Sequence, residues 1–323
     1  MTKTTHTFWI VAILSTFVFQ VQTVFGSIVS DLSTLSPFSV GTDTGGTTSS
    51  SSLVVTPMGD TTSFAQSLVG PGITISNVKY TGADSASGYF SGGYATGNDI
   101  SSGLILTTGS ASAAANPVNT SDKTSYNNHL AGNAQLDSLV PNYKTYDATV
   151  LSFDFTSSGD AAYFNYSFAS EEYTEWVNSS YNDVFGFFVN GENYALIPET
   201  STAVSINNIS DKTNSQFFNN NDPSQTNSPY PFEYDGFTDV FTAAITGLTP
   251  GETYNIEIAI ADAGDSIYDS AVFLEKGTFS SAPVAPTPSA APEPSVTILL
   301  VLMSAGLVSA FYRFRHSVMG NCV

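Results

Sequence analysis

The sequence has almost none of the residues that carry sulfur or imidazole chemistry. Its only cysteine is Cys322, the second residue from the end, so the body of the chain can form neither a disulfide nor a thiolate metal site. Of the three histidines, His6 and His316 lie in the terminal segments and only His129 lies between them. Chemistry that needs several histidines is therefore excluded, and stability must come from packing or from a bound ion.

Basic residues are also scarce. Eight Lys and Arg stand against 28 Asp and Glu, which gives a formal net charge of −20. Two of the eight, Arg313 and Arg315, lie near the C-terminus, so the body is more acidic still. Nucleic-acid binding needs a basic surface facing the phosphates. The composition therefore argues against nucleic acid as a partner and favours cations or neutral polar polymers.

The N-terminal segment has the composition of an export signal. Lys3 precedes an apolar run, Phe8–Phe19, and small residues follow as far as Gly26. This order is typical of a secretory signal peptide over residues 1–26, and a retained membrane anchor is the alternative. A partly disordered linker of low complexity is expected over residues 27–59.

The C-terminal segment changes composition abruptly. Residues 281–295 form a Pro/Ala-rich spacer, which we expect to be extended. Residues 296–312 are apolar and uncharged, and as a helix they would reach about 26 Å, against a hydrocarbon core of about 30 Å. The sequence thus predicts a transmembrane helix, with the basic tail 313–323 held in the cytoplasm and the acidic body outside.

The residues at this junction carry a first resemblance. Pro292, Glu293 and Pro294 stand directly before the apolar helix, and Arg313 and Arg315 follow it. This arrangement resembles the PEP-CTERM sorting signal of Gram-negative bacteria. The resemblance implies export across the inner membrane, transient anchoring, recognition by an exosortase and release of the body towards the cell surface. The alternative is an ordinary C-terminal membrane anchor.

The body reads as an all-β fold. Apolar and polar residues alternate within short runs that end at Gly, Asn, Asp, Ser or Pro. We therefore predict a jelly-roll-like antiparallel β-sandwich over residues 60–280, with long loops at 110–147 and 211–235 and one helix near Asp60–Val69. The predicted strands are 73–80, 103–109, 148–155, 161–170, 183–191, 237–245, 253–262 and 270–279.

A second resemblance covers most of this body. Four sequence blocks occur in order: SLVGPGITISNVKYTG, GLILTTGSASAAANPVN, FASEEYTEWVNSSYNDVFGFFVNG and IAIADAGDSIYDSAVFLEKGTF. Together they resemble the choice-of-anchor L domain of exported bacterial proteins, whose members use different C-terminal anchors. The resemblance implies a location at the cell surface and assigns no reaction.

Three aspartates, Asp262, Asp265 and Asp269, lie close together around Gly264, between two predicted strands. Two like charges about 5 Å apart repel by roughly 3 kcal/mol at an effective dielectric near 20. Calcium would offset this repulsion, because it accepts six to eight oxygen ligands. The sequence therefore predicts a calcium site here, and the alternative is that all the acids point into water.

Further ligands for this calcium are expected from Glu171, Glu172 and Asp183, which lie at the ends of neighbouring predicted strands. Successive side chains of a strand face opposite ways, so Glu171 and Glu172 should not share one site.

The sequence favours a structural or adhesive protein of the cell surface or extracellular matrix, and exopolysaccharide or other surface proteins are its expected partners. One alternative is a carbohydrate-active hydrolase with paired carboxylates and stacking aromatics. Another is a coat protein that self-associates through a sheet edge. The residues considered for the hydrolase are Glu171, Glu172, Glu175, Asp183, Tyr173, Trp176 and Tyr181.

Overall fold

A computed structural model describes residues 52–285 of the chain. The predicted signal peptide, the sorting motif at Pro292–Pro294, the apolar segment 296–312 and the basic tail lie outside these residues. Within 52–285 no helix is long and apolar enough to cross a membrane.

Between residues 52 and 285, fourteen strands form two antiparallel sheets. The first sheet has eight strands in the order β1-β3-β4-β14-β6-β11-β10, and β12 pairs with the same edge of β6 as β11. Its strands are β1 (Val54–Pro57), β3 (Ser87–Ser91), β4 (Ser102–Thr107), β6 (Ala161–Ser170), β10 (Phe218–Asn220), β11 (Gly236–Thr238), β12 (Phe241–Thr246) and β14 (Ser270–Glu275).

The second sheet has six strands in the order β2-β5-β13-β7-β8, and β9 also pairs with β7. Its strands are β2 (Ile73–Thr81), β5 (Thr145–Ser157), β7 (Val184–Val189), β8 (Glu192–Asn193), β9 (Val204–Ser205) and β13 (Thr253–Ala263).

The main core lies between the two sheets, and the period of two along each strand explains it. In β6 the side chains of Phe164, Tyr166 and Phe168 all belong to this core, as do Ile256, Ile258 and Ile260 of β13. A second apolar cluster, which includes Phe237 and Phe273, covers the outer face of the first sheet. A third, which includes Ala259 and Phe188, covers the outer face of the second sheet. The direction of a side chain can therefore be read from its position in a strand.

Two short α-helices complete the described residues. In α1 (Thr61–Gln66) the side chain of Asp60 accepts a hydrogen bond of 2.7 Å from the backbone N–H of Ser63, which caps the helix as the sequence predicts. The second helix, α2 (Ala134–Leu139), is capped by Asn133 and packs against the outer face of the second sheet.

The prediction of an all-β antiparallel sandwich is confirmed at the level of two packed sheets, and the jelly-roll connectivity stays a prediction. The predicted strand 161–170 coincides with β6, whereas 237–245 is interrupted and forms β11 and β12. The predicted long loop 110–147 is wrong in its second half, since α2 and the start of β5 lie there.

Candidate functional site

The most unusual feature of the sandwich is a set of buried acids at one end. Strands β6 and β13 end there, while β5, β7, β11 and β14 begin there, so acids next to these strand ends come together. Each is 3% exposed or less. We call this region the acidic end; its members are Asp147, Glu171, Glu172, Asp183, Asp235, Asp262 and Asp269.

Three of these acids point between the two sheets. Asp262 continues the inward series of Ile258 and Ile260, and Asp183 continues that of Phe185. Ala261 pairs with Val184, so Asp262 and Asp183 stand directly opposite each other at the end of the ladder. Glu172 lies in the turn two residues after the last residue of β6, and after burial the charge of the nearby Asp183 is the next cause that raises its pKa. We call Glu172, Asp183 and Asp262 the inner group.

Hydrogen bonds satisfy only one member of the inner group. Asp183 accepts 2.9 Å from the backbone N–H of Ala263 and 2.6 Å from the hydroxyl of Ser270 in the first sheet. The two carboxyl oxygens of Glu172 and the two of Asp262 are buried without a hydrogen bond of ordinary geometry, although the nearby Thr108 hydroxyl offsets part of the rise in the pKa of Asp262. Buried polar atoms are nearly always paired, so these four oxygens indicate an interaction with something other than the chain itself.

Other acids face outward from the first sheet. Gly236 and Ser270 both pair with Ser170, so Asp235 and Asp269 flank Glu171 in the adjacent register position. Glu233, two residues before Asp235, is buried nearby and is 4% exposed. We call Glu171, Glu233, Asp235 and Asp269 the outer group.

The outer group is covered by the loop between β4 and β5. The backbone N–H of Tyr126 donates to both carboxyl oxygens of Asp269, each at 3.0 Å. Asp235 accepts a hydrogen bond of 2.5 Å from the side-chain amide of Asn119. One oxygen of Glu171 accepts a long bond of 3.4 Å from the N–H of Thr124. The other oxygen of Glu171 and the second oxygen of Asp235 have no partner.

Burial is the main cause of the titration behaviour of both groups. In the inner group it raises the pKa of Asp183 to about 8 and that of Glu172 to about 10, and it holds the pKa of Asp262 well above its usual range. In the outer group it raises the pKa of Asp269 to about 7 and that of Asp235 to about 9. The charged forms are thus costly unless a cation compensates them.

Within the described part of the chain, no basic side chain forms an ion pair with these acids. The single ion pair within residues 52–285 joins the exposed Lys123 and Asp122, with 3.8 Å between Nζ and Oδ1. The described chain contains no arginine, and its one histidine is His129. A cation or bound protons must therefore come from solution.

Comparison with known proteins places the domain in a family. The family model described as the choice-of-anchor L domain matches residues 58–280, more than half of the chain. This chain belongs to the choice-of-anchor L domain family. Membership suggests a surface-anchored protein. No curated protein and no solved structure matches the chain.

The choice-of-anchor L domain distributes the predicted calcium ligands over different positions. Asp262 faces the inner group and Asp269 the outer group, while Asp265 is half-buried and accepts from the N–H of Ile267 in its own turn. Within residues 52–285 no three acidic, histidine or cysteine side chains are arranged to hold one metal ion. The three turn aspartates therefore do not form a ready-made cage.

Glu171 and Glu172 do face different groups, as the alternation of a strand predicts. The alternative in which all the acids point into water is wrong, because only Asp265 of the six predicted ligands has appreciable exposure. The aromatics considered for sugar stacking are also placed: Tyr173 is fully buried against Phe218, and Trp176 packs edge-on against Tyr181.

Sequence reasoning missed Asp147 and Asp235 of the acidic end, and Glu233 of the outer group. Asp147 lies at the start of β5 with a φ of 45°, next to a register shift, and its two oxygens accept from the N–H groups of Asn128 and Leu130. A signal for Asp235 is its position two residues before the predicted strand 237–245.

Proposed function

We propose that this chain is an exported surface protein whose choice-of-anchor L domain is a structural and adhesive module stabilised by calcium at its acidic end. The observation that carries the proposal is the set of four unpartnered, buried carboxyl oxygens of Glu172 and Asp262 in the inner group. The family supports the surface location. The sorting route through an exosortase rests on the sequence motif at Pro292–Pro294.

Calcium suits the inner group for three reasons. All of the available donors are oxygens, which hard cations prefer to nitrogen or sulfur. Asp262 and Asp183 stand opposite each other, so a small movement of two side chains brings both towards one ion. Hydroxyl groups, main-chain carbonyls and water would complete the coordination, and calcium tolerates such irregular sets.

The adhesive part of the proposal concerns the polar loops at this end of the sandwich. Residues 116–130 lie over the acids and are rich in Asn, Ser and Thr, which suit hydrogen bonds to neutral sugar hydroxyls. Hydrolysis is less well supported, because Glu171 and Glu172 are fully buried and a polysaccharide would have to displace the covering loops to reach them.

Two experiments test the proposal. Fractionation of cells, with mass spectrometry of the native protein, should find the body at the surface or in the matrix, without residues 1–26 and cut near Pro292–Pro294. Protein found only in the cytoplasm with both termini intact would contradict the surface role.

The second experiment is co-sedimentation of the purified protein with exopolysaccharide. Binding without release of reducing sugar, and stronger in calcium than in chelator, is the expected result. Release of sugar that is lost in both Glu171→Gln and Glu172→Gln would support the hydrolase instead.

A further inference from the structure

The outer group differs from the inner group in where its polar neighbours come from. Strand residues donate the hydrogen bonds to the inner group. The outer group lies between two long connections, which supply its hydrogen-bond donors and two of its acids. The first connection joins β4 to β5 and supplies Asn116, Asn119, Thr124 and Tyr126. The second leads into β11 and supplies Glu233 and Asp235 themselves.

The register of the first sheet sets the spacing of the outer carboxylates. Asp235 stands opposite Glu171 on one side, since Gly236 pairs with Ser170. Residues directly opposite in antiparallel strands have Cβ atoms about 5 Å apart and face the same way. The two side chains are therefore close enough to share an ion through one oxygen each.

An independent observation points to a ligand at this place. Oε1 of Glu171 and Oδ2 of Asp235 are buried and have no hydrogen-bond partner, and both residues are 0% exposed. Their second oxygens are already held, by Thr124 and Asn119 respectively. One free oxygen on each of two facing carboxyl groups is the arrangement that a bridging cation would complete.

Glu233 strengthens the link to the loops. Its carboxyl oxygens accept from the hydroxyl of Thr124 and, at 2.6 Å, from the side-chain amide of Asn116. Asn221 ties the second connection together, because its side-chain amide donates to the carbonyls of Phe232 and Tyr234. Both connections thus meet at the outer carboxylates.

We infer that the outer group is a second divalent-cation site, centred on Glu171 and Asp235, that fixes the two long loops of the acidic end. The site is separate from the inner group because the charged neighbours of Glu171 are Asp235, Glu233 and Asp269, whereas those of Glu172 include Asp183 and none of these three. The inference rests on the proposed calcium-binding function and extends it. The cation at the outer site stabilises the loop surface to which the adhesive role is assigned.

Calcium titration of the purified, chelator-treated protein by calorimetry tests the inference. Wild type should bind two ions, and Asp235→Asn and Asp262→Asn should each bind one. Asp154→Asn, which changes an aspartate bonded by Asn77 and Asn255 far from the acidic end, is the matched control and should still bind two.

Hydrogen exchange supplies a readout that stoichiometry alone does not. Calcium should slow exchange of residues 116–128 and 221–235 at least tenfold in wild type and in Asp262→Asn, but not in Asp235→Asn. One ion in wild type that is lost in Asp262→Asn and retained in Asp235→Asn would overturn the second site and leave the proposed function standing. No bound ion in wild type would overturn both.

Discussion

Asp262 at the end of β13 and Glu275 at the end of β14 are both buried acids, but they lie at opposite ends of the sandwich. Glu275 accepts a hydrogen bond of 2.8 Å from the side-chain amide of Asn165. Asp262 has no partner for either oxygen and faces another acid, Asp183. The comparison teaches that the chain supplies a donor to a buried carboxylate at one end and leaves both oxygens of Asp262 and of Glu172 unpaired at the other.

A surface acid of the second sheet makes the same contrast. Asp154 accepts from the amides of Asn255 and Asn77 at 3.0 and 2.7 Å, and these bonds lower its pKa. Amide donors thus stabilise the charged form of Asp154, while burial disfavours that of Asp262. The difference lies in the neighbours supplied by the fold and not in the residue type.

The largest effect should be the dependence of stability on pH in metal-free protein. The pKa values of Asp269, Asp183, Asp235 and Glu172 rise to about 7, 8, 9 and 10, above those of unfolded carboxyls. The folded chain then binds more protons than the unfolded chain, so stability falls as pH rises from about 4 towards 10.

We expect a loss of at least ~5 kcal/mol over this window, measured by denaturant unfolding in chelator, because each pKa unit by which the folded and unfolded states differ contributes about 1.4 kcal/mol. Calcium should flatten the curve, since it replaces the protons. Stability that is constant, or that increases over this range in chelator, would show that the acidic end carries no such penalty.

The second prediction is that two Asp→Asn substitutions change the stability of the metal-free protein in opposite directions. In metal-free buffer at about pH 8, Asp262→Asn should raise the unfolding free energy, because burial disfavours the charged carboxylate and the amide needs no proton on folding. Asp154→Asn should lower the melting temperature slightly, because it weakens two charge-assisted hydrogen bonds at the surface. Thermal unfolding of the two variants side by side measures this, and destabilisation by Asp262→Asn in chelator would contradict the account.

A third variant should leave a buried carboxylate without its donor at the end of the sandwich where Glu275 lies. Asn165→Ala removes the donor to Glu275 and leaves a buried carboxyl oxygen unpaired, which costs about 2 kcal/mol. Calcium should not restore this loss, because Glu275 has no facing acid in its hydrogen-bonded register. Asn77→Ala, which removes one exposed bond to Asp154, serves as the control and should change stability by much less.

The smallest effect concerns the packing around Asp269. A Cβ on Gly109 would stand 1.7 Å from Oδ2 of Asp269, so Gly109→Ala must displace this carboxylate, at a cost of about 1 kcal/mol. A Cβ on Gly159, near the opposite end, would meet its nearest neighbour at 3.6 Å. Gly159→Ala should therefore be nearly neutral in the same unfolding assay. Equal effects of the two substitutions would show that displacing the Asp269 carboxylate has no cost in stability.

The strands could be predicted because period-two alternation is a local property. Leu151, Phe153 and Phe155 alternate with polar residues in the sequence and lie in the core of the structure. The same rule predicts that Glu171 and Glu172 face different ways. Strand ends and the short helix capped by Asp60 could also be predicted, because turn residues and N-cap residues are local signals too.

The acidic end could be predicted only in part, because burial by a loop is not a local property. Glu233 and Asp235 lie in a polar segment without alternation, and they are buried because Asn116, Asn119 and Thr124 of a distant loop bond to them. Sequence proximity also suggested that Asp262, Asp265 and Asp269 share one site. The fold separates Asp262 from Asp269 because they face opposite sides of different sheets.

Thermal unfolding of the purified, chelator-treated protein with and without calcium tests the central claim most directly. At about 100 times the dissociation constant, one bound ion stabilises the folded state by ~2.7 kcal/mol, so calcium should raise the melting temperature clearly and magnesium much less. The rise should shrink in Asp262→Asn and persist in Asp154→Asn. An unchanged melting temperature in calcium would contradict a cation-stabilised acidic end.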